Sequence, residues 1–162
     1  MEITAAMVKA LREETGAGIM DCKRALSDTA GDVEKAKAIL REKGLASAAK
    51  KESRETSQGL VEVYIHGGGR IGAMVELNCE TDFVARTDEF KGLARDIAMQ
   101  VVALNPRFVS PDAAPAATIE AEGLSEEDVK NASITTQAYF RDPKLTVGEK
   151  IKEVIAKSGE NI

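Results

Sequence analysis

Three carboxylates, Glu76, Glu80 and Asp82, crowd together near one predicted strand end. A close carboxylate pair can run general acid–base chemistry, and oxygen ligands of this kind can hold a hard cation. No second acidic cluster and no recognisable cation loop accompanies them, so solvated carboxylates are the ordinary expectation. The sole histidine, His66, excludes every two-histidine zinc motif and makes any nucleophile–histidine pair depend on one residue at a strand end. The two cysteines, Cys22 and Cys79, have no partners at metal-ligand spacing and read as small buried apolar residues in a reducing compartment. Gly67, Gly68 and Gly69 suggest a phosphate cradle, but such a loop leads into a helix N-terminus. This one leads into a strand pattern, which favours a hairpin turn. The phosphate-binding motif G-x-x-x-x-G-K-[ST] is absent. Neither a metal nor a cofactor is expected, and no residue is assigned a catalytic role.

The elements that position these residues follow from periodicity and punctuation. Val8, Leu11 and Thr15 stand at helical spacing behind a Thr4 cap, and Gly16 is suited to end that helix in the left-handed conformation. A second helix is predicted over 19–29 with Ile19, Cys22 and Leu26 on one side. A third, capped by Asp32, carries Val33, Ala36, Ile39 and Leu40, with Gly44 placed to stop it. Helices this short cannot each bury a face alone, so residues 1–45 are expected to form a three-helix bundle. Residues 46–58, rich in Ala, Lys and Ser, read as a linker that could continue as helix. Residues 59–162 then form an α+β core.

From Leu60 the period changes to two. Val61, Val63 and Ile65 alternate with Glu62, Tyr64 and His66, and Ile71, Ala73, Val75 and Leu77 repeat the pattern after the turn. This predicts an antiparallel β-hairpin with one buried face. A long helix is predicted over 88–104, its stripe made by Phe90, Leu93, Ala94, Ile97, Ala98 and Val101, with Asn105 and Pro106 ending it. A proline-rich loop, a short helix capped by Ser125, and a final helix opened by a Thr146–Glu149 capping box and stopped by Gly159 complete the chain. The fold class is α+β.

Charge limits the partners. With a net charge of −5 and an isoelectric point near 5.1, the chain is poorly suited to neutralising a phosphate backbone, and a protein partner is the better expectation. The basic stretch Lys37, Arg41, Lys43, Lys50, Lys51 and Arg54 reads as a solvated helix face plus linker, with an RNA-binding module as the competing interpretation. No apolar run approaches the roughly 18 residues of a membrane span, and charges stand where a signal peptide would be apolar. A cytoplasmic protein is expected, or one of an organellar matrix if a transit segment was removed, with neither membrane nor nucleic acid as partner.

Two stretches have an unusual residue order: TGAGIMDCKRAL, from Thr15 to Leu26, and ELNCETDFVAR, from Glu76 to Arg86. In the second, Phe83 follows a strand between Asp82 and Val84; a phenylalanine there is ordinarily core, with a functional tip as the alternative. Together with AAKKESRETSQGLVEVYIHGGGRIGAMVELNCETDFVAR, NPRFV at 105–109 and KSGENI at 157–162, these motifs make the chain similar to elongation factor Ts over nearly its whole length. The resemblance implies that the N-terminal helices form a ubiquitin-associated-like bundle docking on the nucleotide-binding domain of elongation factor Tu. It also implies that Thr81, Asp82, Phe83 and Val84 enter that partner near its bound magnesium. Phe83 would act as an apolar wedge and Asp82 as an anchor, so that guanine nucleotide is released without any covalent chemistry. Within the docking motif, Ile19, Met20 and Lys23 are the candidates; by spacing Ile19 is expected to be partly core, and Lys23 alone would read as a solvated lysine.

The chain carries one copy of the hairpin core, like short members of that family, and the resemblance implies a homodimer that completes it. Three departures from the family pattern stand out. Gln100 occupies a position where the family commonly has a histidine, which would remove a contact to the partner. The stretch between NPRFV and YFRDPKLTV, at 139–147, is short. The sequence also ends at Ile162, where the family usually continues into a basic, apolar strand; a truncated sequence and a version lacking that edge strand are the two alternatives, and either would weaken the sheet or the dimer. A helical-bundle adaptor without exchange activity fits residues 1–45 equally well but leaves 81–84 unexplained.

Overall fold

Local side chains start most of the helices. Thr4, Asp32, Thr87 and Ser125 each accept a hydrogen bond from an amide in the first turn that follows, and Thr146 and Glu149 exchange bonds as a capping box. The structure, a computed structural model, describes residues 2–162. In chain order the elements are α1 (Ala5–Thr15), α2 (Ile19–Asp28), α3 (Val33–Ala49), β1 (Gln58–His66), β2 (Ile71–Cys79), α4 (Asp82–Ala85), α5 (Asp88–Leu104), α6 (Ala116–Glu122), α7 (Glu126–Ala132), β3 (Ala138–Tyr139), β4 (Asp142–Thr146) and α8 (Val147–Ser158). Single 3₁₀ turns lie at Pro111–Ala113 and Ile134–Thr136. The fold is α+β.

One compact unit comprises the chain as far as Arg54 together with Lys152–Asn161. Its core is made by Val8, Leu11, Cys22, Ala25, Leu26, Ala36 and Leu40 from α1, α2 and α3. Gly44 does not stop α3, which runs on to Ala49. The reason is tertiary: a β-carbon at Gly44 would lie 3.0 Å from that of Ala156, so glycine is what lets α8 approach. That contact outweighs the roughly 1 kcal/mol disadvantage of glycine inside a helix. The Asn161 amide then donates to the Glu52 and Arg54 carbonyls, at 3.3 and 2.9 Å, so the stretch read as a linker is folded as far as Arg54.

The second unit spans Glu55–Ile151 with Ile162. Strands β1 and β2 pair antiparallel, with His66 opposite Ile71 across a four-residue turn. Gly67, Gly68 and Gly69 all take positive φ, at 60°, 68° and 88°, and the Arg70 guanidinium closes the turn on the Gly67 carbonyl. The run Gly67 to Gly72 carries the spacing G-x-G-x-x-G, yet no helix follows it, so there is no helix N-terminus to cradle a phosphate.

The register corrects the expected burial of β1. Because Leu60 pairs with Leu77, Glu62 with Val75 and Tyr64 with Ala73, these residues share the face covered by α5, where Arg95 reaches Glu62 at 3.9 Å. Val61, Val63 and Ile65 lie on the opposite face with Met74 and are exposed. The hairpin therefore has two apolar faces, of which only one is covered among the described residues. Helix α5 supplies that cover with fully buried Phe90, Ala94 and Ala98, aided by Leu93 and Ile97. A second short hairpin, β3 with β4, is tied to α5 by Tyr139, which donates to Asp96, and by Arg141, which pairs with the same carboxylate at 2.7 Å.

Candidate functional site

Strand β2 ends at Cys79, whose fully buried thiol donates to the Thr81 carbonyl 3.1 Å away. The chain then turns into α4, a single turn with extended Thr81 at its N-cap. Ala85 and Arg86 donate their amides to the Thr81 and Asp82 carbonyls, and Arg86 pairs with Asp82 at 2.8 Å. In one helical turn the side chains fan out, and Ala85, 7 % exposed, takes the inward position. Phe83 is thereby turned outward and is 79 % exposed. The ordinary expectation of a core phenylalanine is overturned here: the core position nearby is filled by Phe90, which is wholly buried. Thr81, Asp82 and Val84 are half-buried around it.

The carboxylates Glu76, Glu80 and Asp82 do not converge. Glu76 accepts from Asn78, Asp82 faces Arg86, and among the described residues no group of three or more potential ligands is placed to hold a metal ion. His66 lies beside Tyr64, 2.9 Å from its hydroxyl, on the exposed end of β1.

In the first unit, Ile19 and Met20 begin α2 and are 56 % and 68 % exposed. The spacing that grouped Ile19 with Cys22 and Leu26 misplaced it: α2 buries Cys22, Ala25 and Leu26, while Ile19 sits one turn before the bundle closes over that face. A groove of about 320 Å³ opens beside it, lined by the apolar Ile3, Val8 and Ile19 and by the basic Lys9, Arg12 and Lys23. Lys9 and Arg12 were not singled out from the sequence; their only signal is that they flank Val8 on α1, Lys9 next to it and Arg12 one turn on, and they line the same groove as Lys23. Elsewhere the basic stretch is engaged internally. Lys37 bonds to Glu14 and Glu34, which raise its pKa in that order, Arg41 approaches Glu153 at 3.6 Å, and Lys43 pairs with Asp21. Cations held this way offer less to a phosphate backbone.

The Phe83 turn, and Ile19 and Lys23 of the groove, come from the unusual stretches of the sequence, and the chain as a whole is similar to known proteins. Residues 6–132 match the family described as Elongation factor TS. The chain belongs to the elongation factor Ts family. It is 50 % identical to Elongation factor Ts of Heliobacterium modesticaldum, an alignment covering 99 % of this chain and 85 % of that protein. It is likewise 50 % identical to the Carboxydothermus hydrogenoformans protein of the same name, covering 84 % of it, and 49 % identical to that of a Thermoanaerobacter species, covering 90 %. As a member of this family it is a translation elongation factor, acting in protein biosynthesis. The alignments run over 183 positions against a chain of 162 residues, so these relatives carry residues that this chain lacks. No helix is long and apolar enough to cross a membrane among the described residues.

Gln100 stands at the position where the resemblance led to a histidine being expected. It is fully buried and donates to Gln137 and to the Ala138 carbonyl at 3.0 Å, while its own carbonyl accepts the Phe140 amide at 3.1 Å. The side chain thus ties α5 to β3 inside the second unit.

Proposed function

We propose that this protein is a guanine-nucleotide exchange factor for elongation factor Tu, acting without covalent chemistry. The bundle docks on the partner's nucleotide-binding domain through Ile19, Met20 and Lys23, and the Thr81–Val84 turn disturbs its magnesium site. The observation that carries this reading is Phe83: a large apolar side chain, 79 % exposed, on a turn whose backbone is bonded at both ends. Burying such a side chain yields roughly 2–3 kcal/mol, available only once a partner covers it. Docking contacts add to this, and a thousandfold loss of nucleotide affinity requires about 4 kcal/mol of coupling. By reciprocity, rebinding of nucleotide expels the exchange factor with the same coupling, so each molecule can serve many partners.

The groove beside Ile19 supports docking of a partner helix that is apolar on one stripe and acidic at its edge, because its lining combines Ile3, Val8 and Ile19 with lysine and arginine. A homodimer is part of the same proposal, and the open hairpin face bearing Val61, Val63, Ile65 and Met74 supports it. A two-stranded ribbon with one bare apolar face is marginal alone, and a second copy supplies the missing layer.

The test is release of a fluorescent GDP analogue from elongation factor Tu at fixed free magnesium. Acceleration by the parent, reduced at least tenfold in Phe83→Ala while docking persists, is the expected result. A folded parent that binds but does not accelerate release would leave an adaptor and sink the exchange reading.

A further inference from the structure

Helix α4 has only a single turn, and an isolated turn of helix is unstable because nucleation fixes several residues for one bond. Its hold on Phe83 must come from neighbours. At the entry the Cys79 thiol bonds to Thr81. At the exit the Thr87 hydroxyl donates to the Val84 carbonyl at 2.8 Å, and the Thr87 amide donates to the same oxygen at 3.0 Å. That carbonyl would otherwise be one of the orphan acceptors at a helix end. The same hydroxyl oxygen accepts the Phe90 amide at 3.2 Å and so forms the N-cap of α5. One hydroxyl thus joins the Val84 carbonyl of α4 to the first turn of α5, and α5 is anchored by fully buried Phe90.

We infer that Thr87 is a positioning residue for the exchange element: it transmits the rigidity of α5 to α4 and so aims Phe83 before the partner arrives. This rests on the exchange reading above. Thr87 itself is exposed and meets Phe90 through that residue's backbone amide, so its contribution is orientation of the turn. A turn already in its productive geometry loses less freedom when Phe83 inserts, and the effect is felt in the step where the wedge enters.

The two roles of the hydroxyl separate chemically. Thr87→Ser keeps donor and acceptor. Thr87→Asp keeps the acceptor that caps α5 but, ionised, has no proton to give Val84. Thr87→Val loses both. In the fluorescent-GDP release assay, with docking affinity measured separately, Thr87→Ser should match the parent. Thr87→Asp should melt like the parent and dock within about twofold of it, yet release nucleotide about three- to tenfold more slowly at saturation, the size of one lost hydrogen bond. Repeating the assay at raised salt screens the added charge, and the deficit should persist. If Thr87→Asp proves less stable, Thr87→Val and Thr87→Ser are compared at a temperature where both are folded, and a slower saturated rate at equal affinity is again required. Parent-like rates in Thr87→Asp or Thr87→Val overturn the role of Thr87 alone. A parent that fails to accelerate release overturns the exchange reading and this role with it.

Discussion

At the scale of single residues, Tyr139 ties the second hairpin to α5 and makes stability depend on alkaline pH. Burial, and then its hydrogen bond to Asp96, raise its pKa well above the ordinary value, because the neutral phenol is the form the site accommodates. The folded state therefore holds this proton more tightly than the unfolded chain. The stabilisation is fully present below the unfolded pKa of about 10 and is lost as pH rises towards the folded value. Tyr139→Phe should cost about 1.5–3 kcal/mol at pH 7, the range for a hydrogen bond to a charged group. In urea unfolding followed from neutral pH upward, the gap between parent and variant should narrow above about pH 10. A gap constant with pH would mean that the phenol proton is not what Asp96 recognises. Arg141 remains on Asp96 in the variant, so the carboxylate is not left alone and the comparison stays clean.

At the scale of elements, what could be read in advance was what is locally encoded. Thr4, Asp32, Ser125 and Thr146 are caps whose partners lie three residues away, and the helices they start begin where the sequence predicts; Thr87 caps α5 in the same way but was not singled out. Features set by distant parts of the chain were not legible. Which hairpin face is covered depends on the parity of the register: a four-residue turn pairs even positions with odd ones, so Val61 and Val75 cannot share a face although each belongs to a clean alternation. The outward aim of Phe83 depends on a one-turn helix that no periodicity reveals. Gly44 had the look of a stop because its reason, Ala156, is far away in sequence. That last contact can be probed by volume. Gly44→Ala gains roughly 1 kcal/mol of helix propensity and loses a comparable amount to crowding, so its stability should stay near the parent's. Gly44→Val should lose about 2–3 kcal/mol. Ala156→Gly alone should cost roughly 1 kcal/mol of helix propensity, but much less when added to Gly44→Ala because it relieves the crowding, a non-additivity that thermal or urea denaturation would register. Strict additivity would show that α3 continues past Gly44 for some other reason.

At the scale of the whole molecule, the open hairpin face makes the state of association a consequence of register. A single chain leaves Val61, Val63, Ile65 and Met74 between 52 % and 75 % exposed on one side of the ribbon. Val63 stands directly opposite Met74, so the centre of this patch is a cross-strand apolar pair with nothing charged in it. Glu76, opposite Val61, marks its edge. A self-complementary patch of this kind suits a two-fold interface, in which each copy covers the other's ribbon as α5 covers the opposite face. Val63→Glu places a carboxylate at that centre without touching the α5 side. An unpaired charge buried in an interface costs about 3 kcal/mol or more, which corresponds to a dimer weakened by at least a hundredfold. Sedimentation equilibrium over a wide concentration range should therefore find the parent dimeric and Val63→Glu monomeric, with the circular dichroism of the two alike. A parent that stays monomeric at about 100 μM, well above the dissociation constants of stable homodimers, would remove the homodimer from the proposal while leaving Phe83 and its supporting turn where they are.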